Sequence, residues 1–525
     1  MTRPTITPYR PAAPTGHAGF AQLLHAEWTK FRTVRGWVIG AAAAMLVTVL
    51  IGVLTGLNSH NGCFGAVCHP VIPAGPDGEA VTDSFYFVHR PLSGDGSITV
   101  RVTSLAGVIQ LSGPPHAPTR PGLQPWSKAG LIVTESSRQG SAYAAIMVTG
   151  GHGVRMQYNY TQDMAGSAGS VSAASPRWLR LTRAGDTLTG YDSGDGTHWA
   201  RVGTVHLAGL PPTVQAGLFA TSPQYAPPPA QQLTGGSGTD DPTSATATFD
   251  RVSLHGGWPS GAWISAFAGG STSTYPIAAT AGSHQAGSSF TVTGSGDIAP
   301  AVSGENADGA KTIDRALVGA FAGLIAVVVV GVLLITAEYR RGLIRVTLAA
   351  SPRRGRVLAA KALVLGAVTF VAGLAGASAA VWLGDRFLRA NGYAIFPVTA
   401  LTELRVIAGT AALLAVAAVF ALGIGAILRH SAGAVTVVIT AIVLPYILAT
   451  SSGLPAGTAQ WLLRLTPAAG FAIQQTIPQY AQVSSTYTPM WGYYPLAPWA
   501  GLAVLCGYAA LALALAGFLL RRRDA

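Results

Sequence analysis

Charge is scarce in this chain: 10% of its 525 residues are Asp, Glu, Lys or Arg, where soluble domains have about 25%. No Gly-Lys dipeptide occurs. A P-loop needs Gly-Lys-Ser/Thr to cradle phosphates, so the chain carries no nucleotide motor of its own. A His-Glu-x-x-His helix and a Gly-x-Ser-x-Gly elbow are missing too, which removes two hydrolase signatures. The long apolar runs hold almost no ionisable residues in their interiors, so coupling to a proton or ion gradient lacks its usual carboxylates. Glu135 is the only Glu between Glu79 and Glu305, and sugar hydrolysis needs a carboxylate pair. These absences predict a protein that is not an enzyme. No cofactor and no resident metal are expected.

What is present is apolar. Hydrophobic residues make up 49% of the chain, and the mean hydropathy is +0.39. Six stretches approach the ~20 residues that cross a bilayer: Trp37–Leu57, Ala316–Ala337, Ala359–Leu383, Val406–Leu428, Ala432–Thr450 and Pro498–Leu520. The first is too long for the ~7–15-residue core of a signal peptide, so it reads as a retained span. The net charge of +12 is unevenly placed. Residues 58–313 hold 12 basic against 15 acidic residues; the rest of the chain holds 21 basic and 6 acidic. A pI near 9.8 is one mark of a nucleic-acid binder, but arginines interleaved with spans argue against that partner.

The arginines set an orientation. Lys30, Arg32 and Arg35 precede the first span. Arg340, Arg341, Arg345, Arg353, Arg354, Arg356 and Lys361 cluster between the second and third. Arg429 and Arg521–Arg523 follow later ones. All fall on one side of a six-span protein, and basic loops stay cytoplasmic. Both termini are therefore expected inside the cell membrane, with residues 58–315 outside. Within the arginine-rich loop, Leu343, Ile344, Thr347, Leu348 and Ala350 form an apolar stripe that Pro352 ends. An interfacial anchor with no partner is the plain alternative. Ahead of the first span, Phe20, Leu23, Leu24, Trp28, Phe31 and Val34 share a helical face, the pattern of a helix lying along the membrane surface. Residues 1–18, with a Pro- and Thr-rich start, are expected to be disordered.

Cys63 and Cys68 open the external region, where an oxidising compartment would close them into a small disulfide loop. His60 and His69 flank them and keep a zinc site open as an alternative. Cys506, in the last span, reads as a small buried hydrophobe. From about Asp83 to Leu254, short alternating strands separated by Gly, Asp and Pro turns predict a β-sandwich. Ile98, Val100 and Val102 should share one face. The turns at Gly94–Gly96 and Ser193–Gly196 have the composition that positive φ requires, with calcium binding as the alternative use of their carboxylates. Residues 257–315 read as a Gly/Ser-rich segment with one or two further strands. Between Ser451 and Pro495, helical stretches broken by Pro467 and Pro478 are too interrupted to span. Trp491, Tyr493, Tyr494 and Trp499 are expected as an aromatic belt.

The segments "PLSGDGSITVRV", "WLRLTRAGDTLTGYDSGDGTHWARVG", "VQAGLFATS" and "ATATFDRVSL" resemble the concanavalin A-like, laminin-G-type jelly rolls. The resemblance covers residues 78–256 and implies a domain that recognises carbohydrate or simply packs. The segments "LLHAEWTKFRTVRGW", "TAEYRRGLIRVTLAASPRRGRVLAAK" and "LLRRRDA" resemble permease subunits of type-2 ABC exporters, particularly actinobacterial ones. That resemblance covers 19–57 and 316–525. It implies a permease homodimer or heterodimer driven by a separate cytosolic ATPase, which touches the surface helix and the first cytoplasmic loop. It places Glu27, Trp28, Lys30 and Arg32 on the helix. Glu338, Arg340, Arg341 and Gly342 fall at the start of the loop, and Pro352, Arg353 and Arg354 at its end. In the resembling family, short helices after the fifth span dip back into the outer leaflet; an ordinary ordered loop is the alternative for this chain. The expectation is a polytopic α-helical membrane protein of six spans with an inserted all-β jelly roll, an exporter subunit whose outer domain recognises, gates or escorts cargo or glycan. The alternative is a membrane-anchored glycan-binding or sensor protein whose spans only hold the jelly roll.

Overall fold

The computed structural model describes residues 19–58, 72–111, 118–225, 241–268, 281–302, 310–344, 353–450, 454–483, 487 and 489–522. Residues 1–18, Cys63, Cys68, His60, His69 and Pro352 lie outside the described residues, as does the part of the arginine-rich loop's apolar stripe beyond Ile344.

A helix at Phe20–Thr33 opens the described chain, with Glu27 and Phe31 on its buried face. Val34 adopts an extended conformation and breaks it from the first span, Arg35–Asn58. Five more helices are long and apolar enough to cross a membrane: Ile313–Arg340, Arg354–Ala390, Ala400–Leu428, Ser431–Thr450 and Pro498–Arg522. The third departs from expectation. It has 37 residues, about 55 Å at 1.5 Å per residue, against a hydrocarbon core of ~30 Å. Its apolar middle continues as helix into flanks rich in Arg and Lys, which are good helix formers.

The fourth span is the hub: two thirds of its apolar window is buried, against about a fifth for the first. It contacts the second, third and sixth spans. Small residues allow these contacts, as is usual between helices in lipid. A Cβ on Gly331 would strike the carbonyl of Ala418 in the fourth span, and between the first and second spans one on Gly323 would strike the hydroxyl of Thr48. After the fifth span, a helix at Ala456–Leu465 leads into a 3-10 segment, Pro467–Gln474, whose eight residues are all buried. Phe471 sits there against Phe321 and Tyr446. The aromatic belt needs correcting. Tyr493 and Tyr494 are buried, because Tyr493 packs edge-on to Tyr487 and Tyr494 N–H donates to Gln475 at 3.1 Å. Trp499 is exposed.

The β domain lies between the first and second spans and is built on two large antiparallel sheets. The eight-stranded sheet runs Ala200–His206, Thr187–Ser193, Arg177–Ala184, Gly96–Gln110, Thr243–Gly256, Ser289–Gly294 and Gly282–Ala286, with Thr119–Pro121 beside Gly96–Gln110. The seven-stranded sheet runs Ile264–Ala268, Phe85–Ser93, Thr213–Thr221, Lys128–Thr134, Tyr143–Thr149, Val154–Tyr158 and Gln162–Ala165. Their facing sides form one core, in which Ile98, Val100 and Val102 take part as the alternation predicts.

The boundary at residue 256 is corrected by the structure. Four strands follow it within 257–315, and Phe290 and Val292 enter the shared core. A short ribbon, Val81–Asp83 with Ile298–Pro300, brings entry and exit together. The strands Lys128–Thr134 and Tyr143–Thr149 are buried on both faces. Their second face carries Ile132, Tyr143, Ala145 and Met147 into another core with Val81, Phe85 and Ile298.

The domain rests on the bundle through a small apolar cluster of Ala80, Ala310 and Phe396. Lys311 N–H donates to Ala394 at 2.9 Å, and Phe396 N–H donates back to Lys311 at 3.0 Å. Gln482, in the connection between the last two spans, donates to the Thr161 carbonyl at 2.9 Å.

Candidate functional site

At the end of the bundle away from the β domain, three segments meet around one lysine. Lys361, fully buried in the third span, donates to Glu27 Oε2 at 2.7 Å and to Glu338 Oε1 at 2.6 Å. Lys30 closes the group, 3.0 Å from Glu27 Oε1 and 3.5 Å from Glu338 Oε1. Two cations and two carboxylates balance, which is what allows charge to be buried. Burial pulls the Lys30 ammonium down, but Glu27 and Glu338 outweigh it and hold it above its usual range. The helical spacing of Glu27 and Lys30 puts both on one side of the surface helix. The second span delivers Glu338 from its last turn, and the long third helix delivers Lys361 from its second.

The expected coupling residues thus divide into two groups. Glu27 and Glu338 are buried in the node, with Lys30 at its edge. Trp28, Arg32, Arg340, Arg341 and Gly342 are exposed around it. Gly342 takes a positive φ of 69° as the chain leaves the second span, a conformation that glycine adopts without strain. Arg353 is exposed, and Arg354 donates to the carbonyl of Leu520 at the end of the sixth span. Lys361 reads in the sequence only as one more member of the basic loop. Its signal is a single lysine at the edge of an apolar run, a position where buried charge needs a partner. Arg429, after the fourth span, lies over the Tyr339 ring at 4.9 Å and ties in a further turn.

On the β domain, the Asp195 turn serves its own backbone. Asp195 Oδ1 accepts from the N–H groups of Thr197 and His198, both at 2.8 Å, and its Oδ2 meets His198 Nδ1 at 2.6 Å. These bonds hold its carboxyl below the usual carboxylate range. No cluster of three or more metal-ligating side chains occurs among the described residues. The same turn presses Gly196 against Trp178, beside a shallow cavity of about 440 Å³ lined by Trp178, Arg180, Trp199 and His255. Arg180 stacks 3.9 Å over the Trp199 ring.

A family model described as "ABC-2 family transporter protein" matches residues 142–525. The chain belongs to the ABC-2 transporter family. It is a multi-pass membrane permease subunit of an ABC transporter, whose partner is an ABC ATPase. The match includes the second to sixth spans, Glu338 and Lys361, and part of the β domain. Glu27 and Lys30 fall outside it and join the site only through the fold.

No curated protein matches this permease. Among solved structures it is similar to a functionally unknown protein from Saccharomyces cerevisiae, at 16% identity and a TM-score of 0.22, over 39% of this chain and 96% of that one. It is similar to the GH43 protein BlXynB from Bacillus licheniformis at 16% identity and 0.19, over 31% and 27%. It is also similar to scytalido-glutamic peptidase at 9% identity and 0.25, over 40% and 98%.

Proposed function

We propose that this permease is the membrane half of an exporter, and that its ATPase docks on the surface around the buried lysine node. The supporting observation is the node itself. It ties the helix Phe20–Thr33 to the second and third spans, so a push on that helix reaches both. Trp28, Arg32, Arg340, Arg341 and Gly342 form the exposed contact. Glu27, Lys30 and Glu338 brace it from behind.

The arginine-bearing end faces the cytosol because basic flanks resist translocation. Both termini are then inside and the β domain is outside. The permease works as a dimer, of two copies or of two related chains. The β domain, a jelly roll, recognises glycan or cargo. The cavity lined by Trp178, Arg180 and Trp199 is where such a ligand would sit, with Trp178 supplying an aromatic wall.

The test is co-purification with the cognate ATPase. Trp28→Ala combined with Arg340→Ala and Arg341→Ala should leave the permease in the membrane but lose the ATPase. Undiminished recovery of the ATPase overturns the assignment. A membrane-impermeant thiol reagent should label Thr197→Cys, exposed in the same turn as Asp195, from outside and spare Thr29→Cys; the opposite pattern reverses the orientation.

A further inference from the structure

Beside the node, and separate from it, the third and sixth spans frame a second feature. Arg353, Arg354, Arg356 and Arg521 surround a cavity of about 650 Å³ at the arginine-bearing end. Arg354 is engaged with the Leu520 carbonyl. No ion pair involving Arg353, Arg356 or Arg521 occurs among the described residues, and the cavity lining contains no acidic side chain among them.

Ala359 lines this cavity and also an apolar groove of about 760 Å³ that continues along the third, fourth and sixth spans. Leu363, Ala367, Phe370, Val416 and Leu513 form its walls. From Ala359 to Phe370 the helix rises about 16 Å. That is the depth of one leaflet, half of a ~30 Å hydrocarbon core.

We propose that the cavity and groove together form a binding site for an anionic phospholipid, with its phosphate among the arginines and one acyl chain along the groove. Charge complementarity selects the occupant. Arginines meet phosphate oxygens with forked donors, and basic pockets between spans bind anionic headgroups. A neutral lipid would satisfy the groove and leave Arg353, Arg356 and Arg521 with no counter-charge among the described residues. A free anion would satisfy the cluster and leave the groove empty.

The test uses the full-length permease purified in detergent, with retained lipid read by native mass spectrometry. The probes are phosphatidylglycerol, phosphatidylcholine and inorganic phosphate. Phosphatidylglycerol should be retained in preference to phosphatidylcholine. The triple variant Arg353→Gln, Arg356→Gln, Arg521→Gln should weaken that retention about a hundredfold, at about fivefold per arginine. Ala367 is exposed, so Ala367→Trp fills the groove without entering the core. It should weaken phosphatidylglycerol retention and leave phosphate binding alone, which keeps the test decisive if the triple variant does not fold. Equal retention of the two lipids, or an Ala367→Trp variant that retains phosphatidylglycerol normally, overturns the proposal. A triple variant that keeps its lipid and loses only the ATPase also overturns it, and assigns the arginines to the motor.

Discussion

Each half of this molecule buries a lysine completely, and the two lysines do different work. In the β domain, Lys128 donates to Asp297 Oδ1 and to the Ile298 carbonyl, both at 2.6 Å. Its strand is already fixed by ladders on both sides, to Thr213–Thr221 and Tyr143–Thr149. The ion pair fastens the returning chain to a sheet whose register is set without it. In the bundle, backbone hydrogen bonds are spent inside each helix. Nothing in the main chain fixes one helix against the next. Lys361 therefore helps define the register of three segments, together with close contacts at small residues such as Gly323 and Gly331. A polar interior is an accessory in a sheet and a positioning device between helices.

The sharpest way to break this comparison is to divide the chain. Residues 72–302 expressed alone should unfold cooperatively and give a β-rich circular dichroism spectrum. Residues 78–256 should not fold. That shorter fragment lacks Phe290, Val292 and Ile298 from its cores and Asp297 from Lys128, a loss on the order of 5–10 kcal/mol. A folded 78–256 fragment would show that the later strands are dispensable.

Next in size is Lys361→Met. It leaves Glu27 and Glu338 buried without their shared cation, a loss of about 3–5 kcal/mol. Thermal unfolding in detergent should fall, and limited proteolysis should cut first near Phe20–Thr33. Adding Glu27→Gln and Glu338→Gln should recover part of the stability. If Lys361→Met leaves unfolding and proteolysis unchanged, the node does not set the register.

A third test concerns the β domain alone. Asp83 is buried and accepts from Tyr160 Oη at 2.7 Å and Gly140 N–H at 2.9 Å. Burial outweighs these bonds and pushes its carboxyl up to about 6 from 3.8. The folded state thus holds the proton more tightly than the unfolded one, so stability falls as pH rises from about 4 to 6. The whole loss is about 3 kcal/mol above that window. Denaturant unfolding at pH 4 and pH 7 should show that wild type loses most of this relative to Asp83→Asn. Parallel pH profiles for the two proteins would contradict the burial of an ionisable carboxyl there.

The smallest stability effect is expected at the exposed contact. Arg340→Ala and Arg341→Ala should change unfolding by no more than about 0.5 kcal/mol, while association with the ATPase weakens. A large loss of stability would mean that these arginines belong to the structural node.

The sequence by itself determined the elements. Apolar runs near 20 residues mark six spans because an unbroken helix is the structure that satisfies its own backbone in lipid. Alternation and turn chemistry mark the strands because side chains on a sheet repeat every two residues. What the tertiary structure decided is which residues work together. Lys361 finds Glu27 334 positions away, a pairing that no local period encodes. The two-sided burial of Lys128–Thr134 depends on layers brought from both ends of the domain. The four arginines around one cavity come from helix ends more than 160 positions apart. Local spacing fixes what a segment becomes. The choice of neighbour is fixed by the free energy of burying charge and apolar surface in the assembled fold, and that energy exists only once the segments have met.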